Sequence, residues 1–334
     1  MGFIDTLLIP FYWFNSAILV GVEWLLTRLG MSDTSGWTWA LSIVGLVIVL
    51  RVLLMPLFVK QIRSQRRMQM LQPELMKIQQ KYKGKKDEAS RKAMTEESFA
   101  LYKKHGTNPF SSCLPILMQM PFFFALFRIL NTVPGVADGT HDPQGMWSQE
   151  LAQKLAASDI FGASLTSSFL HSNDGPAKVL AVVLIIAMSV TTFTTQHQLM
   201  RKNMPAAALD NPMARQQKML LYALPLIFAV SGVNFPIGVL IYWTTTNLWS
   251  MGQQFYVIRA MPAPGSPAEK AREARRLAKG KPVDKVQLST VEGDDATATA
   301  AASTTRPRPQ GGQRVQPRSK KRTKGKGNNR PKGR

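Results

Sequence analysis

Of the 334 residues only one is a cysteine, Cys113, so the chain can build neither a disulfide framework nor a multi-cysteine metal site. Its four histidines, His105, His141, His171 and His197, are scattered without ligand spacing, and there is no glycine-rich phosphate loop. No metal, redox or nucleotide chemistry is therefore assigned, no cofactor is expected, and the chain does not read as an enzyme. Acidic residues are also few, 20 against 42 lysines and arginines, and the imbalance is uneven along the chain. Residues 261–334 hold 19 basic and 6 acidic residues, a net +13 of the total +22, so the preceding 260 are more apolar than the average suggests.

That apolar character is gathered into windows of about 20 residues, enough to cross a hydrocarbon core of roughly 30 Å at about 1.5 Å per residue. Spans are predicted near 37–59, 108–130, 176–199, 219–233 and 236–258. Pro115 and Pro121 inside the second predict local kinks. The last two come from one uncharged run, 219–258, which as a single helix would measure about 60 Å and overshoot the bilayer. Gly232, Asn234 and Pro236 supply a turn in its middle.

Orientation follows from the connecting segments. Residues 60–107 carry 13 basic and 5 acidic residues, and 200–218 carry 4 and 1. By contrast 132–175 holds only Lys154 against five acids, and 1–35 only Arg28 against three. The alternation fits five crossings of a membrane, N-terminus outside and C-terminus in the cytoplasm. Residues 1–35, broken by Asp5, Pro10, Asn15, Glu23 and Arg28, read as an amphipathic helix in the outer interface. Residues 60–107 read as a solvated helical hairpin: Leu71, Leu75, Ile78 and Tyr82 recur at helical spacing, Lys83-Gly84-Lys85 interrupts, and the pattern resumes from Asp87. Residues 261–334, rich in Ala, Thr, Pro and Gly, read as a disordered basic tail. The fold class is thus an all-α integral membrane protein with a five-helix transmembrane core, 36–260.

Within the first span stands Arg51, nine residues from Lys60 and so roughly 13 Å inside the cytoplasmic end. An arginine there costs at least about 2.5 kcal/mol and cannot shed its charge. No Asp or Glu falls in any of the five spans, so water, neutral polar groups or a bound anion must solvate it. Ser189, Thr192 and Gln196 form a stripe on the third span, Thr244, Thr245, Thr246 and Asn247 cluster in the fifth, and Gln119 lies in the second. Together they suggest the lining of a wet intramembrane cavity, serving either a device that eases polar segments into the membrane or an ion or solute transporter whose Arg51 binds an anion. Arg128 reads as a snorkelling residue near the outer end of its span.

The stretches LRVLLMPLF (50–58), MQMLQPELMKIQQKY (68–82), NPFSSCLPILMQMPFFFALF (108–127) and FPIGVLIYWTTTN (235–247) appear in one order, and through them the chain resembles the YidC/Oxa/Alb family of membrane protein insertases. The resemblance covers roughly residues 5–258. It implies a groove open to cytoplasm and lipid that promotes insertion, folding and assembly of membrane proteins, alone or with the Sec translocon. Arg51 falls on the family's groove arginine, Gln196 on a polar groove position, and Tyr242 and Trp243 on the aromatic pair past which client helices slide. Implied partners are newly made membrane proteins, lipids and the Sec translocon. The tail run Lys320, Lys321, Arg322 and Lys324 suits ribosomal RNA or anionic lipid.

Overall fold

The computed structural model describes residues 3–85, 87–108, 114–204 and 212–280. Long helices dominate. α1 (Phe3–Arg28) turns back through a short loop into α2 (Gly36–Leu53). The two pack closely, since a Cβ on Gly45 would lie 2.9 Å from Val22 Cγ1. α1 also meets α6 (Leu114–Ala137): the Asn15 amide donates to the Phe122 carbonyl at 2.8 Å, and Arg128 pairs with Asp5 at 3.3 Å. Arg128, expected to snorkel at the outer end of its span, is half-exposed there and has the Asp5 carboxylate of a neighbouring helix as its partner. Asp5–Arg28 is long and apolar enough to cross a membrane, as are Gly36–Leu53, Leu117–Ala137 and Gly175–Asn203. Length and composition thus do not single out the surface placement expected of residues 1–35.

Within the first predicted span the helix is interrupted once. α2 stops at Leu53 and α3 (Met55–Met70) begins after Leu54, because the ring of Pro56 crowds the carbonyl of Val52 and has no N–H to continue the ladder. α4 (Gln72–Lys81) and α5 (Glu88–Lys104) then form the hairpin read from the sequence. Gly84 takes a φ of +87° in the turn, and Asp87 caps α5 by accepting from the Ser90 N–H at 2.8 Å. Neither helix has a buried side chain, so polar pairing joins them: Glu97 accepts from Lys81 and, at 2.9 Å, from the Tyr82 hydroxyl. Those two bonds hold the Glu97 carboxyl below its ordinary value, and the cap bond from Ser90 does the same for Asp87. A depressed carboxyl stabilises the folded hairpin above its unfolded pKa and loses that contribution as pH falls through the folded one. The protection of α5 amides, measured against the intrinsic exchange rate at each pH, is therefore expected to fall below about pH 4, the ordinary carboxylate range. Glu97→Gln should raise exchange at neutral pH and flatten the acid dependence; an unchanged profile would remove the pairing from the account.

Between α6 and α8 (Gly175–Asn203) lie α7 (Gln149–Ala156) and a two-residue hairpin, β1 (Asp159–Ile160) with β2 (Ala163–Ser164), paired Asp159 to Ser164 and Ile160 to Ala163. Its turn residues Phe161 and Gly162 both have positive φ, 53° and 75°, as a two-residue hairpin turn of matching twist requires. Lys154 ties α7 to the loop before α2 through Asp33 at 3.1 Å.

α9 (Pro212–Gly232) and α10 (Ile237–Ala260) are the two halves of the long apolar run, divided where Gly232, Asn234 and Pro236 predicted. The segment after β2 seals this turn, with the Ile237 N–H donating to the Ser167 carbonyl at 2.8 Å and the Gly238 N–H to the Leu165 carbonyl at 2.9 Å. α8 buries Ala177, Ala181, Ile185 and Met188 while exposing Val179, Val182, Val183, Ile186 and Val190. The two alanines let the helices approach closely there, and branched aliphatics outside are what a hydrocarbon solvent favours.

The tail departs from the expectation of disorder at its start. Residues Pro267–Leu277 form α11, capped by the buried Ser266, whose hydroxyl accepts from the Glu269 N–H at 3.2 Å. The buried Asn203 side chain accepts from the Ala263 N–H at 2.8 Å and ties the approach to α8. The misreading came from composition: apolar area is small here, but capping and a long-range hydrogen bond offset part of the ordering entropy. Lys320, Lys321, Arg322 and Lys324 lie outside the described residues, as does Cys113.

Candidate functional site: a polar chamber around Arg51

α2 carries Arg51 on its last turn, 8% exposed. Its guanidinium donates to Ser250 Oγ at 3.0 Å and, at the limit of a hydrogen bond, to the Thr246 carbonyl at 3.5 Å, and it lies over the Phe58 ring at 5.2 Å. A guanidinium has five N–H donors. Among the described residues no carboxylate pairs with it.

Arg51 lines a chamber of about 570 Å³ between α2, α3, α6, α9 and α10. Its polar wall is Gln61, Gln119, Thr246, Ser250, Gln253 and Gln254, all neutral. Its apolar wall is Phe58, Met120, Phe123, Phe228 and Trp243, whose rings interlock: Trp243 meets Phe228 at 4.8 Å and Phe123 at 5.2 Å between centroids. Gln119 hydrogen-bonds the Tyr242 hydroxyl, joining α6 to α10 across the chamber. Toward the α9–α10 turn the packing closes. A Cβ on Gly238 would lie 3.0 Å from Leu130 and 3.2 Å from Ile43, both buried. The walls continue in the other direction, to Gln61 and Ile62 on α3 and to Gln253 and Gln254, the side that bears the basic segments.

The structure brings together Arg51, Gln119, Tyr242, Trp243 and Thr246 of the residues singled out from the sequence. It does not bring Ser189, Thr192, Gln196, Thr244 or Asn247 to the chamber wall. Thr192 accepts from the Asn247 amide at 3.0 Å, so this pair clamps α8 to α10. Ser189 reaches the Pro225 carbonyl on α9 at 3.5 Å, Thr244 is buried at 9% exposure, and Gln196 is half-buried farther along α8. α8 contributes no residue to this wall; on α10, Thr244 points about 100° around the axis from Trp243, while Asn247, one turn on from Trp243, is held at the edge of that stripe by Thr192. Gln61, Ser250, Gln253 and Gln254 were missed, although 243, 246, 250, 253 and 254 follow three- and four-residue steps that could have found them.

A bundle clothed in branched aliphatics, enclosing a neutral polar chamber with one buried arginine, is an integral membrane protein built to keep polar groups among its spans. Comparison with known proteins narrows the class. The family model described as 60Kd inner membrane protein matches residues 30–264, and the chain belongs to that family. It is 46% identical over 272 residues to the membrane protein insertase YidC of Streptomyces avermitilis, a match covering 77% of this chain and 61% of that protein. With YidC of Bifidobacterium longum it shares 35% identity over 325 residues, 97% of this chain and 96% of the relative. A crystal structure of an active YidC insertase with its first transmembrane domain resolved is 21% identical, covering 77% of this chain and 47% of its own, with a TM-score of 0.42.

Proposed function

We propose that this chain inserts newly made membrane proteins, and that the chamber around Arg51 is where a client's polar segment is received. The observation that carries the reading is a buried guanidinium set among neutral amides and hydroxyls, without a carboxylate, beside an interlocked aromatic wall. A polar segment leaving water for hydrocarbon loses hydrogen bonds worth several kcal/mol. Amides, hydroxyls and the unspent donors of Arg51 replace part of that hydration at membrane depth. The client's apolar segment then passes the Phe123, Trp243 and Tyr242 side of the chamber into lipid, and its burial drives the process. No covalent step is involved.

In this reading α2, α6, α8, α9 and α10 are the five crossings, α1 rests at the outer face, the α4–α5 hairpin and the tail are cytoplasmic, and the N-terminus is outside. Folding and assembly of clients, cooperation with the Sec translocon, and contact of Lys320, Lys321, Arg322 and Lys324 with the ribosome belong to the same proposal.

A photo-crosslinker placed at position 243, and another at 51, should capture the polar and apolar flanks of a ribosome-stalled client in membranes. Position 179, on the outer face of α8, should capture neither. Equal capture at all three positions, or a solute-flux defect on depletion with clients inserted normally, would transfer the chamber to transport.

A further inference from the structure

A second concentration of charge lies where α8, α10 and α11 meet, apart from the chamber. A cleft of about 360 Å³ is lined by Arg259 from α10 and by Arg272, Arg275, Arg276 and Lys279 from α11 and its end, with Tyr256 at its side. An adjoining cavity of about 380 Å³ shares Arg259 and Arg275 and adds Lys202 from α8. Among the described residues no carboxylate lines either space. The two acids of α11 lie elsewhere: Glu269 accepts from the Gly265 N–H at 2.6 Å, and Glu273 is not in the walls. Arg259, Arg272, Arg275 and Lys279 form no ion pair among the described residues.

This gathering is built. The cap by Ser266 and the Asn203 bond to Ala263 hold α11 against the end of α8, and Arg275 reaches back to the Arg259 carbonyl at 3.5 Å. Bringing like charges around one small space is unfavourable unless an anion occupies it. The cleft also marks a boundary. α10 is uncharged up to Ile258 and meets its first cation at Arg259. Just before that point Phe255 and Tyr256 are 52% and 68% exposed, and Leu277 on α11 is 63% exposed. Aromatic and aliphatic side chains exposed beside a basic cleft, at the end of an apolar helix, suit an anion that carries hydrocarbon. A polynucleotide would leave that apolar margin unused.

We propose that this cleft binds the phosphate of an anionic phospholipid, in the leaflet on the side of the basic segments, with the acyl chains lying along Phe255 and Tyr256. The proposal does not depend on the insertion reading.

The test uses the full chain in detergent micelles, with bound lipid counted by native mass spectrometry. Phosphatidylglycerol should bind at least tenfold more tightly than phosphatidylcholine of the same acyl chains; equal binding overturns the proposal and needs no variant. The triple variant R272Q/R275Q/K279Q should lose about 100-fold in phosphatidylglycerol affinity, several-fold for each cation removed near a membrane surface. R272K/R275K should retain most of it. Lys270→Gln, on the same helix but outside the cleft, should change it less than twofold. Inorganic phosphate binding as tightly as the lipid would assign the cleft to a free anion and overturn the lipid. Loss of a short single-stranded RNA in the triple variant, with lipid binding intact, would assign it to nucleic acid and overturn it equally.

Discussion

Arg51→Ala is expected to slow insertion of clients with charged outer segments by about 10- to 100-fold, the equivalent of losing one hydrogen bond to a charged group at about 1.5–3 kcal/mol. Clients whose outer segments are short and apolar should lose little, because the cost the chamber offsets is the desolvation of polar groups. Ser250 and the Thr246 carbonyl make the prediction specific: both are oriented toward the guanidinium, and neither can replace its donors. Lysine at 51 keeps the charge but not the planar fork, so an intermediate rate is expected. Protease protection of reconstituted clients measures the ratio. Equal loss for polar and apolar clients would show that the arginine supports the bundle and not the passage.

The second large effect is on stability, and it lies at the other end of α2. A methyl group added to Gly36 would sit 2.1 Å from the carbonyl oxygen of Asp159, 2.3 Å from its carbon and 2.8 Å from Ile160 Cγ1. The obstacle is backbone of β1, which cannot rotate away as a side chain would. Gly36→Ala must therefore lift the β1–β2 hairpin from α2, and overpacking of this kind costs about 1–3 kcal/mol. The control lies on α10, where a methyl on Gly252 meets nothing within 4 Å. In that helix interior alanine is worth roughly 0.5–1 kcal/mol over glycine, so Gly252→Ala should be stabilising. Thermal unfolding of the two variants should move in opposite directions. A Gly36→Ala protein as stable as the parent would mean that the hairpin does not rest on α2.

Much of this was legible in the sequence because hydrocarbon is a demanding solvent. The turn at Gly232, Asn234 and Pro236 and the break at Gly84 are set by residues that cannot continue a helix, and both fall as read. Arg51 stood out because burying a fixed charge is costly wherever it occurs. Less legible was which neutral groups face it. Thr244–Asn247 is a conspicuous cluster in the sequence, yet consecutive residues on a helix point around the axis. Asn247 consequently turns to Thr192 while Thr246 and Ser250 turn to Arg51. Phase of that kind depends on the packing partner. The stop of α2 at Leu53 has a local cause in Pro56, which the apolarity of a run continuing to Val59 masked. α11 was missed for the complementary reason: its order rests on a cap and on Asn203, 60 residues from its partner Ala263, and hydropathy registers neither.

The missing carboxylate has a consequence for what such a chamber would admit. With Arg51 as its only charge among the described residues, the chamber presents a field of one sign. A client side chain about 7 Å away, at an effective dielectric near 20, would feel about 2 kcal/mol of attraction if it were an aspartate and the same of repulsion if it were a lysine. Such a difference works as a rectifier. Segments bearing negative charge would be helped outward and those bearing positive charge held back, so the charge asymmetry read in this chain's own loops is the one its chamber would impose on the proteins it handles.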